Sequence, residues 1–412
     1  MTHGWTIALS MFPVVATVFT LMCVVAVSLR RTTARAPRRV APGPFDGREV
    51  VVLRPVEDVD AAWLARVSAE AEAITKAVPG ARIVVCGPSV GMSPTSDALT
   101  ASADGLLFAR SDAPQGLVGN RKVRHLAAGA RLALALSSGK ELLLVQADQD
   151  VHLDGEAIRA LVAALEAGEP DDLAFALPAI APAPGLANLA SRAILMGSPQ
   201  SFAVVDALAR VTRTPPAIAG KCVALRATTL TRLGGHAAIE HAIGDDVALV
   251  ARVRAIGGEA RPIANAIATD GGARSFGALL ERMTRWLRVI RAQQRGHLLL
   301  TYPILIAPLP IALVLMLLVI FAGQGPLAAL APWLLCALFA SRALLMAVLA
   351  SGRGPYRRFA GNLLLLAPVA ALLGDVVLLL AFGAAVWSRK IVWAGRVYDV
   401  DARGHISAVR AA

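Results

Sequence analysis

Residues Trp5 to Leu29 form an uncharged apolar run of 25 residues, and three more apolar runs close the chain at about 298–322, 326–351 and 360–386. About 20 apolar residues in a helix span the roughly 30 Å of bilayer hydrocarbon. Four such runs commit the chain to a membrane before any other feature is weighed. Composition agrees: 56% of the 412 residues are hydrophobic and 17% charged, against about 25% charged in soluble domains. Mean hydropathy is +0.60, which excludes an ordinary cytosolic protein and a disordered one. Aromatics at 5%, with 34 Gly and no alternating ten-residue pattern, argue against a membrane β-barrel.

Lys and Arg number 41 against 29 Asp and Glu, a net charge of +12. In a chain with long apolar runs this excess points to cytoplasmic loops and anionic lipid headgroups ahead of nucleic acid, and no nucleic-acid partner is expected. Arg30, Arg31, Arg35, Arg38 and Arg39 follow the first run at once. A cleaved signal peptide carries its charge before the apolar region. The first run therefore reads as a retained anchor with its N-terminus outside and the next segment in the cytoplasm. Cys23, Cys86, Cys222 and Cys336 lie far apart with no C-x-x-C, so neither a zinc site nor a disulfide framework is expected.

From about Arg39 to Arg295 the composition is globular. Short β-rich runs at Val50–Leu53, Arg82–Cys86, Leu142–Gln146, Leu173–Leu177, Cys222–Leu225 and Ile263–Ala268 alternate with amphipathic stretches at about 60–77, 121–137, 154–167 and 246–257. That alternation predicts βαβ units and an α/β domain with a mostly parallel sheet. Arg353, Arg357 and Arg358 mark the cytoplasmic side between the last two apolar runs. If all three C-terminal runs span, the tail ends outside, yet Arg389, Lys390, Arg396, Arg403 and Arg410 favour the inside. Asp375 divides the last run into halves too short to cross. A re-entrant or interfacial hairpin would resolve the conflict, and the number of spans stays open.

Three clusters could carry chemistry. Asp148-Gln149-Asp150 follows the run Glu141–Gln146, and the carboxyl ends of strands are where open α/β sheets bind ligands. Two carboxylates there suit a hard divalent cation completed by substrate phosphates. The competing reading is a solvated turn before a helix capped by Asp154. Gly244-Asp245-Asp246 opens a helix, where acids cap free N–H groups; an ionised acid there also suits a general base. Arg282-Met283-Thr284-Arg285-Trp286 lies in a helix from about Ser275 to Arg295, apolar at Phe276, Leu279, Leu280, Met283, Trp286, Leu287 and Ile290. Arg282, Arg285, Arg288, Arg291 and Arg295 make its remainder basic. This predicts an in-plane amphipathic helix on anionic lipid, compatible with arginines turned toward a diphosphate. His236 and His241 are five apart and diverge on a helix, so they are not expected to share a metal. Asp375 at lipid depth needs a partner, for which Arg342 is the candidate.

The order and spacing of these clusters resemble the membrane-bound family 2-like glycosyltransferases with a GT-A fold. The likeness is strongest to the ceramide glucosyltransferase family, family 21, with its bacterial relatives of hopanoid biosynthesis. Val51-Val52-Leu53-Arg54-Pro55, Asn120-Arg121-Lys122-Val123, Gly220-Lys221-Cys222, Leu225-Arg226, Gly234-Gly235 and Trp393-Ala394-Gly395-Arg396-Val397-Tyr398 are similar to elements of that family. The resemblance covers about residues 45 to 400. One departure is that Arg82–Cys86 runs into Gly87-Pro88-Ser89-Val90-Gly91 without the early acid that helps hold the donor nucleotide; Asp97 comes later.

The resemblance implies an anchor at 1–30, a cytosolic GT-A domain at 40–273, an amphipathic interfacial helix at 274–297, transmembrane helices at 298–388 and a basic tail at 389–412. It implies an inverting, nucleotide-sugar-dependent hexosyltransferase. Asp150 and Asp148 would hold Mg²⁺ or Mn²⁺. Asp246 would be the base, supported by Asp245. Asp148, Arg282, Arg285, Trp286, Lys122 and Arg54 would serve the donor and its diphosphate. The expected donor is a UDP-sugar, with glucose or a related hexose. The expected acceptor is a ceramide-like or hopanoid-like lipid at a bacterial inner membrane. A processive polysaccharide synthase of the same superfamily and a catalytically inactive membrane scaffold are the alternatives.

Overall fold

A computed structural model describes residues 2–33, 47–57, 59–88, 106–111, 118–197, 220–270, 272–293, 307–322, 326–350, 356–363, 365–388, 390–393, 395–401 and 404–411. Arg35, Arg38, Arg39, residues 89–91, Asp97, Arg295, residues 298–306, Arg353, Arg389 and Arg403 lie outside the described residues. The chain divides into two compact units: Met1–Arg35, Ala179–Ala217 and Gly271–Arg389 form one, and Ala36–Pro178, Ile218–Asp270 and Lys390–Ala412 the other.

The second unit is built on an eight-stranded sheet. Its strands are β1 (Arg48–Pro55), β2 (Arg82–Gly87), β3 (Leu106–Arg110), β4 (Glu141–Ala147), β5 (Val151–His152), β6 (Leu173–Ile180), β7 (Cys222–Arg226) and β8 (Ala260–Thr269), in the order β3-β2-β1-β4-β7-β6-β8-β5. β1 runs parallel to β2 and β4, with Leu53 opposite Val84 and Gln146, and β3 adds a parallel edge. β7 then pairs antiparallel with both β4 and β6. The parallel half follows from local sequence: Val50 to Leu53 are apolar without alternation and each at most 2% exposed, as in strands covered on both faces. β3 and β5 are short edge strands that the apolar pattern did not mark.

Helices α2 (Ala61–Ala77), α3 (Arg121–Ala135) and α4 (Gly155–Glu166) supply those covers. Trp63, Val67, Ala71 and Ile74 form the buried stripe of α2 and join Ile158, Leu161 and Leu165 of α4 in the main core. Asp60 and Asp154 cap these helices, accepting from the N–H groups of Trp63 (2.6 Å) and Ala157 (2.7 Å). α3 lies closely on the strands. A Cβ on Gly129 would stand 2.2 Å from Cys86 Sγ, so close packing requires glycine there despite its helix penalty of about 1 kcal/mol.

The basic tail is folded. β9 (Ile391–Trp393), β10 (Arg396–Val400) and β11 (Ile406–Ala411) form an antiparallel sheet. Tyr398 is buried, with its ring 6.2 Å from that of Trp393. The Ile243 N–H donates to the Gly404 carbonyl (3.1 Å) and the Ile406 N–H to the His241 carbonyl (2.7 Å). The chain end therefore pins the segment just before Asp245.

The other unit is helical: α1 (Thr2–Thr33), α5 (Leu186–Gly197), α8 (Phe276–Gln293), α9 (Pro308–Ala322), α10 (Pro326–Ala350) and α11 (Ala367–Trp387). The short α6 (Ala227–Arg232) and α7 (Asp245–Ala255) belong to the sheet unit. Met11–Ser28, Ala329–Leu349 and Ala367–Trp387 are long and apolar enough to cross a membrane. The expectation that Asp375 breaks the last run is corrected: α11 is continuous. Asp375 is buried in it, ion-paired with Arg342 of α10 at 2.5 Å and accepting from the Leu309 N–H at 3.2 Å. The pairing removes the isolated charge that made a break the cheaper option.

Candidate active site

Asp148-Gln149-Asp150 connects β4 to β5, and the backbone of this loop is held at several points. The Asp148 N–H donates to the Lys221 carbonyl (2.9 Å), the Val151 N–H to the Asp148 carbonyl (3.1 Å) and the Asp270 N–H to the Asp150 carbonyl (2.8 Å). From α2, Trp63 Nε1 and Arg66 Nη2 both donate to the Gln149 carbonyl at 2.9 Å. Arg66 also meets Asp270 at 2.5 Å. Beyond its own turn bond, this loop is tied by two side chains of α2 and by two backbone bonds to other segments, which fix the orientation of its two carboxylates.

Those carboxylates belong to an alternating chain of charges. Lys221 Nζ lies 2.7 Å from both Asp150 oxygens and 3.4 Å from Asp148 Oδ2. Lys122 Nζ lies 2.8 Å from Asp148 Oδ1 and 2.8 Å from Asp245 Oδ2. Burial alone would weaken the charge on Lys122, but Asp148 and Asp245 outweigh it and hold the ammonium above its ordinary pKa. Burial likewise pushes Asp148 up, and the two lysines outweigh it, leaving the carboxylate below its ordinary range. Asn120 sets the register: fully buried at the start of α3, it donates through Nδ2 to the Ala242 carbonyl at 3.2 Å. That bond brings Lys122, two residues on, to Asp245, three residues past Ala242.

Asp246 ends the row. Its Oδ2 accepts from the Gly220 N–H at 3.1 Å, and its Oδ1 from the Val247 N–H at 2.8 Å. Burial, then the neighbouring Asp245 charge, push its pKa up from 3.8 to about 6, against the pull of Lys122. Such a carboxyl is ionised at neutral pH and basic enough to accept a proton from a hydroxyl.

Asp148, Asp150, Asp245, Asp246 and Lys122 thus meet in one unit. Arg54 sits elsewhere: it is 0% exposed, donates to the Val151 carbonyl at 2.9 Å and pairs with Glu70 at 3.6 Å. It supports the loop from beneath. Arg282, Arg285 and Trp286 are half-buried in α8 of the helical unit. The apolar stripe of α8 is covered: Leu279, Met283 and Leu287 are buried in a cluster with Ile194, Val377 and Ala381. Arg288 donates to the Ala384 carbonyl at 3.2 Å, and Arg291 to Ala385 and Val386 at 2.6 and 2.7 Å. These two arginines cap the C-terminus of α11. His236 is buried with its Nε2 3.0 Å from Gln146 Nε2, whereas His241 is exposed.

Sequence reasoning passed over Lys221, Gly220, Trp63 and Arg66 as site residues. The Gly220-Lys221-Cys222 motif marked two of them, but nothing local ties Lys221 to an acid 71 residues away.

The donor set fits a hard divalent cation. Asp148 Oδ2 and Asp150 Oδ1 already converge on one cationic atom, Lys221 Nζ, and three carboxylates, Asp148, Asp150 and Asp245, meet two ammonium groups. Among the described residues no group of three or more His, Cys, Asp or Glu could hold a metal, so an ion here would complete its shell from phosphate and water, as Mg²⁺ commonly does.

The model of glycosyl transferase family 21 matches residues 106–406, from β3 through the folded tail. The chain belongs to glycosyl transferase family 21. The resemblance to ceramide glucosyltransferase-like enzymes therefore holds, and the protein is a membrane glycosyltransferase. A similar solved structure is the mannosyltransferase PcManGT from Pyrobaculum calidifontis in complex with GDP-Man and Mn²⁺. It is 16% identical over 92% of this chain and 99% of that chain, with a TM-score of 0.45. No curated protein matches the family 21 enzyme.

Proposed function

We propose that this family 21 enzyme transfers a hexose, such as glucose, from a nucleoside diphosphate sugar, UDP-glucose first, to the hydroxyl of a ceramide-like or hopanoid-like lipid, with inversion. One observation carries the reading: Asp150, Lys221, Asp148, Lys122 and Asp245 alternate in charge and end at Asp246, in a chain that also builds membrane helices.

In this reading Asp246 accepts the acceptor hydroxyl proton while the oxygen attacks the anomeric carbon opposite the leaving diphosphate. Asp245 keeps Asp246 basic by like-charge repulsion. Asp148 and Asp150 would hold Mg²⁺ or Mn²⁺, which when bound supplies positive charge to the leaving nucleoside diphosphate. Lys122 and Lys221 orient the carboxylates and add positive charge beside the phosphates. For Arg282, Arg285 and Trp286 the proposal rests on the motif alone, the two guanidinium groups on the diphosphate and the indole beside a sugar. The lipid acceptor rests on the membrane helices, and the nucleotide-sugar pool places the catalytic unit in the cytoplasm, at the inner membrane of a bacterium.

The test is to supply membranes from expressing cells with radiolabelled UDP-glucose, UDP-galactose or GDP-mannose and to read extracted lipids by mass spectrometry. One hexose on a lipid, lost with EDTA and restored by Mn²⁺ or Mg²⁺, supports the proposal. Long polymer, or no labelled lipid from any donor, overturns it; transfer indifferent to EDTA overturns the metal assignment.

A further inference from the structure

Length and hydropathy make α11 a candidate span. We propose instead that α11 lies in the plane of the membrane at the cytoplasmic interface, side by side with α8. One face then packs on α5 and α8, and the opposite stripe faces the acyl chains and headgroups of that leaflet.

The first observation is direction. Gly272 and Ala273, just before α8, abut Asn188 and Ser191 of α5: a Cβ on Gly272 would stand 2.7 Å from Asn188 Nδ2, and the Ala273 N–H reaches Ser191 Oγ at 3.4 Å. The same α5 packs against the first half of α11, where a Cβ on Gly374 would stand 3.3 Å from Ile194 and 3.5 Å from Ala193. At the other end, Arg288 and Arg291 of α8 donate to the carbonyls of Ala384, Ala385 and Val386. α8 and α11 therefore run alongside each other in the same direction.

The second observation is how the pair is tethered. α8 starts at Phe276, six residues after Asp270, and α11 ends at Trp387, four residues before Ile391. Asp270 and Ile391 both belong to the sheet unit, so opposite ends of the pair are tied to one water-soluble body. The 18 residues of α8 rise about 27 Å. Standing upright, the pair would hold its tethered ends at opposite faces of the bilayer, about 30 Å apart. Links of four to six residues reach at most about 14 to 21 Å and would carry unpaired backbone groups through hydrocarbon. Lying flat, both ends meet one surface.

The turn before α11 agrees. Arg192 of α5 donates to the Phe359 carbonyl at 2.8 Å, the Ala360 carbonyl at 2.5 Å and Asn362 Oδ1 at 2.9 Å, and α5 begins six residues after β6. In the middle of α11, Asp375 accepts both from the Leu309 N–H of α9 and from Arg342 of α10. The hairpin of α9 and α10 then goes in and returns. Arg357 and Arg358 then come to lie on the cytoplasmic side of the membrane, as the distribution of positive charge favours. An interfacial level also lowers the cost of burying the Asp375–Arg342 pair.

The surface fits its partner. Val369, Val376, Leu380 and Trp387 are 50%, 36%, 57% and 94% exposed. Their spacings of seven, four and seven place them on one helical stripe, opposite the buried Ala370, Ala371, Gly374, Leu378 and Ala381. No soluble partner is needed to cover them if the stripe rests in the leaflet.

The test uses the full chain, with Cys336→Ala as background, reconstituted in phosphatidylcholine–phosphatidylglycerol vesicles. Val369→Cys, Val376→Cys, Leu380→Cys and Trp387→Cys are spin-labelled one at a time, and depth is read from oxygen against nickel-chelate accessibility. The expected result is four labels within about 5 Å of one shallow depth. Labels at 369 and 387 near opposite headgroups, with 376 and 380 deepest, would overturn the proposal. In intact cells an impermeant maleimide should label Arg357→Cys only after permeabilisation, as it does Ser407→Cys. Labelling of 357 from outside would overturn it independently.

Discussion

The Gly220 N–H donates to Asp246 Oδ2 at 3.1 Å, and a Cβ on Gly220 would stand 2.5 Å from Asp246 Cβ and 2.6 Å from its Oδ2. No larger residue fits without moving the carboxylate. Gly220 therefore acts on Asp246 through space, from 26 residues away in sequence. Gly220→Ala is expected to lower kcat on the order of 100-fold, the cost of displacing a reacting group by about 1 Å. Binding of the donor, read by isothermal calorimetry, should stay within about threefold, a change worth less than 1 kcal/mol. Full activity in Gly220→Ala would show that the position of Asp246 does not matter.

Asp246 also sets a pH dependence. With its pKa at about 6, the base form is lost as pH falls through that value, so log kcat/KM should drop below about pH 6 and level off above pH 7. Asp245→Asn removes the neighbouring like charge and frees Lys122 to favour the carboxylate, so the acid limb should move to lower pH. The sign for stability is opposite. Between the ordinary carboxyl value of 3.8 and about 6, the folded chain keeps a proton that the unfolded chain has released, so ionising Asp246 costs stability as pH rises through this window. Asp246→Asn should abolish transfer while leaving the unfolding temperature at pH 7.5 equal or higher. An acid limb that ignores Asp245→Asn would remove Asp246 from the role of base.

Arg342 and Asp375 are each 1% exposed and 2.5 Å apart. Removing one partner leaves a buried uncompensated charge, a loss of about 3–5 kcal/mol. Arg342→Leu should thus sharply reduce the yield of monodisperse protein in detergent. The double variant Arg342→Leu/Asp375→Leu should recover most of it and retain transfer activity, since neither group belongs to the acid row. A double variant as poor as the single one would give the pair a role beyond mutual neutralisation.

Local sequence patterns carried far. The apolar runs at both chain ends need only length and transfer free energy, so the commitment to a membrane is decided residue by residue. Val50 to Leu53 form the short continuous apolar run of a strand covered on both faces, and Trp63, Val67, Ala71 and Ile74 repeat with the period of a helix, which made strand, helix and the α/β order legible. Asp148, Asp150, Asp245 and Asp246 were visible as acids at a strand end and a helix start, because those positions have chemistry of their own.

Only the tertiary structure decided which cation each acid meets. Lys221 reaches Asp150 and Lys122 reaches Asp245 because β7 pairs with β4 and because Asn120 binds the Ala242 carbonyl, and long-range pairing leaves no trace in a local period. The tail was legible as charge but not as strands, since β9 to β11 are held by pairing with one another and, at Gly404 and Ile406, by bonds to Ile243 and His241. The orientation proposed for α11 follows the same rule: hydropathy measures how readily a helix leaves water, while the angle of the α8–α11 pair to the bilayer depends on what its opposite ends are tied to.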